Sequence, residues 1–470
     1  MEKTTERPAI ESVAEGVMDD VDKAYQFAKE HHVEPLTEAE NKRILRKIDF
    51  HLLPLMVITY TLNFMDKNAL SYSANFGLID DNVRVFICWA VAYSIPNSAL
   101  STYTVTTYMV SQPFVARLIV RFPVGRFVAC ATVLWGAVLM TMPASRSFAS
   151  LMTIRAILGC LESCINPAFI VISSQWWTRE EQPLRITFWY LGNSIGQVCG
   201  GLLGYGIAHI NSPTVPNWAW FFIIFGAITV VYGSFLFFYL PDSPMNARWL
   251  SDHDRALAIE RVRSNRTGVE NHVWKWSQFK ECVTDIQCWI LVATFFLDDI
   301  PAGGVASFGS IVVKGFGFST LYSTLLLVPL GVIQAICILF GGFMTRKFKN
   351  IRTWLIAGTY YPTHAENNFA GYTKKATAGA MMYVAFCVGQ VVAPQLFLAK
   401  EAPVYETAFR ASFICFALCI VFTIALRYYL IWENKRRERM ALAETETAGS
   451  NDEFLDMTDK QQKLIFRYVM

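Results

Sequence analysis

Between its ends and its centre, this chain of 470 residues has very little charge. Of its 79 Asp, Glu, Lys and Arg residues, 49 fall in 1–49, 241–287 and 433–470, which together hold 134 residues. The other 336 residues carry only 30 charges, about 9%, against about 25% in an ordinary soluble domain. Hydrophobic residues make up 53% and aromatics 14%. This composition excludes a disordered chain, a basic nucleic-acid binder and a small disulfide-stapled module.

Chemical motifs are missing as well. The chain has no phosphate loop, no zinc motif and no Ser-His-Asp arrangement, and its seven His residues show no paired ligand spacing. Most of the 11 cysteines, among them Cys130, Cys164, Cys387 and Cys419, sit in apolar runs as small buried thiols, and Cys282-x5-Cys288 lacks metal-site spacing. An enzyme, a metal and a cofactor are therefore not expected. The first apolar run follows an acidic tail rather than a short basic one, so no signal peptide is read and the amino terminus is expected in the cytosol.

What the chain does have is a series of apolar runs of about 20 residues, the length a membrane helix needs. They lie near 50–66, 90–120, 124–142, 150–174, 186–209, 217–240, 288–313, 320–343, 377–398 and 408–431. The fold class read from them is an all-α polytopic membrane protein with about ten spans, six before the hydrophilic stretch 241–287 and four after it. This gives a tail 1–49, a six-helix bundle 50–240, a cytosolic connector 241–287, a second bundle 288–432 and a tail 433–470. With the amino terminus inside, Arg117, Arg121, Arg126, Arg179, Arg185, Arg346, Lys347, Lys349, Arg352, Lys374 and Lys375 fall on the cytosolic side. Only Lys67, Arg84, Arg146, Lys314, Lys400 and Arg410 fall outside, so both termini are expected in the cytosol. Residues 50–240 hold six spans in 191 residues, and 288–432 hold four in 145, a shortfall of 46. The basic runs 346–352 and 374–375 both read as cytosolic, yet the 21 residues between them cannot hold two spans. The second bundle therefore reads as truncated near 353–373. The stretch 82–108, apolar but without a helical stripe and carrying Pro96, reads as either an extracellular loop or a re-entrant piece.

Specific stretches carry a resemblance. LRKIDFHLLPLMVITYTLNFMDKNALSYSANFGL (45–78), RFPVGR (121–126), RAILGCLESCINPAF (155–169), QWWTREEQPLR (175–185), GGLLGYGIAHI (200–210) and AGYTKKATAGAMMYVAFCVGQVVAPQLF (370–397) are similar to the fungal allantoate permease branch of the anion:cation symporters, within the major facilitator superfamily. The resemblance implies a two-bundle fold of six plus six spans, here lacking a helix pair. It also implies import of a small organic anion with protons at the plasma membrane, the substrates being ureides, carboxylated vitamins or short peptides. The energy source would be the proton gradient, with no other cofactor. The implied partners are the anion, the proton and the lipid bilayer, not nucleic acid, and a monomer is expected. A non-transporting sensor or an inactive, helix-deleted relative is the alternative. In the loop after the second span, Arg121, Gly125 and Arg126 match the superfamily's cytosolic gate, with Phe122 where it carries Asp; Arg346 and Lys347 are the counterparts after span eight.

Charges inside spans are the candidate site, because burying one at mid-membrane costs about 2.5–3.5 kcal/mol even on a mild scale. Arg155 and Glu162, seven residues apart, share a helix face about 10.5 Å apart. Arg155 suits a substrate carboxylate and Glu162 the coupling proton, unless Arg155 reaches the interface or pairs with a neighbouring helix. Vesicular glutamate transporters and sialin have an Arg and Glu at this spacing. Asp66 either takes a proton or pairs with Lys67 at the outer interface, and Asn63 and Tyr60 line the cavity more deeply. In the seventh span Pro301 and Gly303-Gly304 predict a broken helix, with Asp298 and Asp299 either as proton-coupling groups or near the outer interface. Two acids there conflict with simple anion binding. Gly192, Gly196, Gly200 and Gly204 read as a packing stripe, with Asn193 and Gln197 beside it as polar contacts, and Gln390 as a further cavity residue.

Overall fold

The structure, a computed structural model, describes residues 37–73, 107–263, 275–347, 369–443 and Lys460, apart from a few positions within these stretches. Nearly all of 82–108 and 353–373, where the sequence is most irregular, lies outside the described residues. The described residues are helical, with no strand among them. The α-helices among the described residues are α1 Glu38–Ser73, α2 Val124–Met140, α3 Phe148–Glu162, α4 Ile165–Trp176, α5 Gln182–Tyr190, α6 Gly192–Ile207, α7 Asn217–Tyr239, α8 Asp252–Arg263, α9 Trp276–Val283, α10 Ile286–Gly315, α11 Val328–Lys347, α12 Tyr372–Val392 and α13 Glu406–Ala443. Among the described residues, seven stretches are long and apolar enough to cross a membrane: 38–70, 124–144, 149–176, 217–239, 286–305, 377–396 and 406–440. The other three expected spans fall on the partly described 107–121, on the α5–α6 pair and on α11.

Local chemistry sets several helix boundaries. α1 starts behind Thr37, whose hydroxyl accepts from the Glu40 amide while the Glu40 carboxylate accepts from the Thr37 amide. Ser147 and Ser150 cap α3 in the same reciprocal way. α7 is apolar all round, with Phe221, Phe222 and Phe225 buried and Val231, Phe235 and Phe238 exposed, as expected of a helix packed on one side and facing lipid on the other.

The tightest packing joins α2 to α7. A Cβ on Gly136 would lie 2.8 Å from the Val230 amide and 2.9 Å from the Gly226 carbonyl, so the two backbones touch. α1 packs on α6 in the same manner, at Gly192 against Val57 and Tyr60 and at Gly196 against Thr61 and Phe64. This is the packing role expected of the glycine stripe. In the second half α10 packs against α12 and α13. α11 behaves differently: its main contacts are with α5 and α6, through Gly342 on Thr187 and Gly331 on Gln197.

Two expectations need correction. The seventh span is not broken, since α10 runs from Ile286 through Pro301 to Gly315. Its glycines serve close packing instead: a Cβ on Gly303 would lie 2.8 Å from Gln390 Oε1, and one on Gly304 would lie 2.7 Å from Phe397 Cε2. The fourth span, 149–176, is met as expected, with a two-residue turn at Ser163 and Cys164 between its two helices. Pro167 has no amide to give the Ser163 carbonyl, and Gln112 Nε2 donates to that carbonyl at 3.1 Å instead. The last helix continues to Ala443, so the first part of 433–470 is helical. Lys374, read as a loop cation, is fully buried and bridges Glu281 at 2.9 Å and Asp285 at 2.8 Å, tying α12 to α9 and the start of α10.

Overpacking a close backbone contact costs about 1–3 kcal/mol. Gly136→Val should therefore lower the thermal unfolding temperature of the detergent-purified protein, followed by tryptophan fluorescence. Gly206→Ala, where an added Cβ meets nothing within 4 Å, should leave it unchanged.

Candidate functional site

Three ionisable side chains in the first half meet in an apolar interior. Asp66 of α1, Arg155 of α3 and Glu162 at the end of α3 are 1%, 3% and 2% exposed. Each acts on the others electrostatically, and the Asp66 and Glu162 carboxyl groups face one another. Trp135 of α2, fully buried, donates its indole N–H to Asp66 Oδ2 at 2.6 Å. The Arg155 guanidinium carbon lies 5.6 Å from the centre of the Phe222 ring of α7, within range for a cation on an aromatic face. Asp66 is thus a buried group held by a tryptophan, and the charge of Lys67 also reaches it.

Several polar atoms of this cluster have no hydrogen-bond partner among the described residues. They are Nε and Nη2 of Arg155, Oδ1 of Asp66, Oε2 of Glu162 and Nδ2 of Asn63. Nε and Nη2 form one edge of the guanidinium, the planar fork that takes both oxygens of a carboxylate. Arg155 and Glu162 make no ion pair within 4 Å, in keeping with two subsites on one helix face.

The remaining sequence-derived candidates distribute around this cluster. Asn68 Nδ2 donates to Gln197 Oε1 at 3.0 Å, and the Gln197 side chain packs on Gly331, so α1, α6 and α11 meet at one polar contact. Asn193 is half-buried beside it. Tyr60 is packed among Trp189, Phe169 and Tyr190, with ring centres 4.7, 5.8 and 5.9 Å away, and so belongs to an aromatic core cluster. In the second half Gln390 Nε2 donates to Asp299 Oδ1 at 2.9 Å, and Asp299 is fully buried against Gly389. Asp298, half-buried, turns toward α13, where its charge reaches Cys419. Lys67 is exposed on α1, and its charge reaches Asp66 and Glu162 on one side and Cys387, next to Asp299, on the other.

A layer of ion pairs closes the hydrophilic end of the first half. Asp49 accepts from Trp177 Nε1 at 2.7 Å and from Arg185 Nη2 at 2.9 Å. Asp254 of α8 takes Arg43 at 2.7 Å and Lys47 at 2.6 Å, and Arg261 joins Asn41 and Glu181. Of the gate residues, Arg126 pairs with Asp242, through its amide at 2.9 Å and Nε at 3.3 Å, and Gly125 lies against the Leu240 and Pro241 carbonyls and the Asp242 side chain. Arg121 is exposed, and the Arg346 and Lys347 side chains lie outside the described residues. Cys282 and Cys288, which have no metal-site spacing in sequence, are brought to 3.6 Å between sulfurs.

Sequence reading missed Trp135, Phe222, Asn68 and the Asp254 layer. A tryptophan in the middle of an apolar span was the one available signal, because a buried indole N–H usually finds an acceptor.

Comparison with known proteins now bears on this arrangement. The sequence profile of the Major Facilitator Superfamily matches residues 56–361. The chain belongs to this superfamily. Its relatives are fungal transporters. It is 35% identical to the uncharacterised transporter C757.13 of Schizosaccharomyces pombe, over 92% of this chain and 88% of that one. It is 30% identical to the allantoate permease of Saccharomyces cerevisiae, over 97% of this chain and 91% of that one. Among solved structures it is similar to the inward-open xylose transporter XylE of E. coli, with a TM-score of 0.58 at 13% identity, over 80% of this chain and 95% of that one. The E. coli fucose:proton symporter is also similar, with a TM-score of 0.51 at 11% identity, over 80% of this chain and 99% of that one. These two likenesses show the fold. The chain is thus a multi-pass membrane protein of a transporter family, and not an enzyme. The match to C757.13 runs over 474 positions, whereas 92% of 470 residues is about 432, so about 42 positions are filled by the relative alone. For the allantoate permease, 505 positions against 97% of 470, about 456, leave about 49.

The Asp254 layer gives a pH prediction. Burial pushes the Asp254 carboxyl up, but the hydrogen bond and charge of Lys47 and the charge of Arg43 outweigh it and hold the carboxyl below its ordinary value of 3.8. A carboxyl lowered in the folded state stabilises the protein above its unfolded value, and that contribution is lost as pH falls through the folded value. Wild type should therefore melt above Asp254→Asn at pH 7, with the gap closing below about pH 4 in a thermal-unfolding series.

Proposed function

We propose that this transporter carries a small organic anion together with a proton, importing it across the plasma membrane with both termini in the cytosol. The carrying observation is the buried edge of Arg155, whose Nε and Nη2 have no partner among the described residues. Two parallel N–H donors in an apolar interior suit one carboxylate. Phe222 and Trp135 form apolar walls beside it, and Asn63 offers a further polar contact.

Charge balance supplies the coupling. Arg155 and Lys67 act on Asp66 and Glu162, two positive groups on two acids. A carboxylate arriving on Arg155 adds one negative charge to a water-poor site, where an unbalanced charge is costly. A proton on the facing Asp66 and Glu162 carboxyls restores the balance and removes their mutual repulsion. Substrate and proton thus each favour the binding of the other. The cycle then follows alternating access, with the two halves of the fold moving around the fixed site. Asp299, held by Gln390, is a second acid on the opposite half and a candidate relay for the proton.

One observation favours a second reading, a non-transporting sensor or inactive relative. C757.13 and the allantoate permease fill about 42 and 49 positions that this chain lacks, close to the size of a helix pair, and α11 leans on the first half rather than on α10, α12 or α13.

Uptake of a panel of labelled monocarboxylates by cells expressing the chain separates the two readings. Symport requires uptake that rises several-fold from external pH 7.5 to 5 and collapses with an uncoupler. Arg155→Lys keeps the charge but loses the fork; with a charged hydrogen bond worth about 1.5–3 kcal/mol, it should cut uptake at least tenfold. Uptake by Arg155→Lys equal to wild type would reject the carboxylate seat, and no uptake of any panel member by the wild type would favour the sensor reading.

A further inference from the structure

Outside the transport site, a groove of about 570 Å³ runs along the flank of the first half between α1 and α5. Its lining has a sharp chemical division. Arg46 and Asp49 stand at one end, and Phe50, Leu53, Pro54, Val57, Ile58 and Phe188 continue it. Phe50 is 77% exposed and Ile58 42% exposed, so the groove opens outward rather than into the protein.

The charged end carries one unmatched cation. Lys42 pairs with Glu38, Arg43 and Lys47 share Asp254, and the Asp49 carboxylate is taken by Arg185 and Trp177. Arg46, exposed on the same helix, has no hydrogen-bond or ion-pair partner among the described residues. It therefore contributes net positive charge at the level of the ion-pair layer, where the chain meets water. The apolar part leads the other way. From Arg46 to Ile58 is twelve residues, about 18 Å along the helix axis. That is close to half of a hydrocarbon core about 30 Å thick.

We propose that this groove is a binding site for one anionic phospholipid of the leaflet on that side, with its phosphate on Arg46 and an acyl chain laid along Leu53, Pro54, Val57, Ile58 and Phe188. The charge complements a phosphodiester, and the groove length matches one leaflet. α1 also carries Asp66 and α5 leads directly into α6 and Gln197, so a lipid seated here bears on two elements of the transport site. The proposal does not depend on which substrate is carried or on whether the chain transports at all.

The test is native mass spectrometry of the full chain purified in detergent, titrated separately with phosphatidylglycerol and phosphatidylcholine of identical acyl chains and with inorganic phosphate. Wild type should retain one phosphatidylglycerol saturably, about fivefold more tightly than phosphatidylcholine, the effect of one basic side chain at a membrane surface. Arg46→Ala should abolish that preference, and Lys42→Ala, a paired cation one turn away, should keep it. Ile58→Trp, which fills the apolar part, should weaken both lipids. Equal binding of the two lipids by wild type, an undiminished preference in Arg46→Ala, or full displacement of the lipid by inorganic phosphate would overturn the proposal. Size-exclusion profiles and melting temperatures of the variants matching those of wild type establish that any loss is local.

Discussion

A guanidinium cannot leave water cheaply, and the burial of Arg155 sets the terms for the rest of the first half. Its charge sits at 3% exposure, within electrostatic reach of two acids and over one aromatic ring. Such a group persists only where neighbouring charges and dipoles compensate it. Asp66 and Glu162 do so from two different helices, and Trp135 holds Asp66 from a third. Removing any of them leaves another charge uncompensated, which links the site to the integrity of the fold. The compensation is also incomplete at one edge of the guanidinium, and that edge is where an anion belongs.

Placing these groups together requires helices to approach closely. Gly136 brings α2 onto α7, which positions Trp135 and Phe222 on either side of the cluster, and Gly192 and Gly196 bring α6 onto α1. The turn after Glu162 has a related role. Because Pro167 leaves the Ser163 carbonyl free, Gln112 can satisfy it just beyond the acid. At the hydrophilic end the layer around Asp49, Asp254 and Arg261 binds the start of α1 to α5 and α8. In the second half the buried Lys374 does the equivalent for α9, α10 and α12.

Much of this was legible in the sequence. Scarce charge and runs of about 20 apolar residues gave the polytopic helical class, and the same scarcity made Arg155, Glu162, Asp66 and Asp299 conspicuous. Periodicity also placed Arg155 and Glu162 on one face. Contacts between distant segments were not legible. Nothing in NFMDK says that Asp66 faces Trp135, 69 residues away. Proline and glycine were ambiguous for a physical reason. Pro301 with Gly303 and Gly304 reads as a hinge, but the two glycines are filled by Gln390 and Phe397 of another segment, and the helix continues past the missing amide. Lys374 looked like a loop cation because its partners Glu281 and Asp285 lie about 90 residues earlier in the chain.

The central claim is that a carboxylate on Arg155 and a proton on the Asp66 and Glu162 pair enter the site together. Proton exchange on substrate binding tests it most directly, using the purified protein in weakly buffered solution with a pH indicator and a transported monocarboxylate. The account predicts uptake of about one proton per carboxylate bound by wild type, and none by Glu162→Gln, in which the amide cannot take the proton. Binding of the carboxylate by wild type without proton uptake at every pH from 5 to 8 would contradict it.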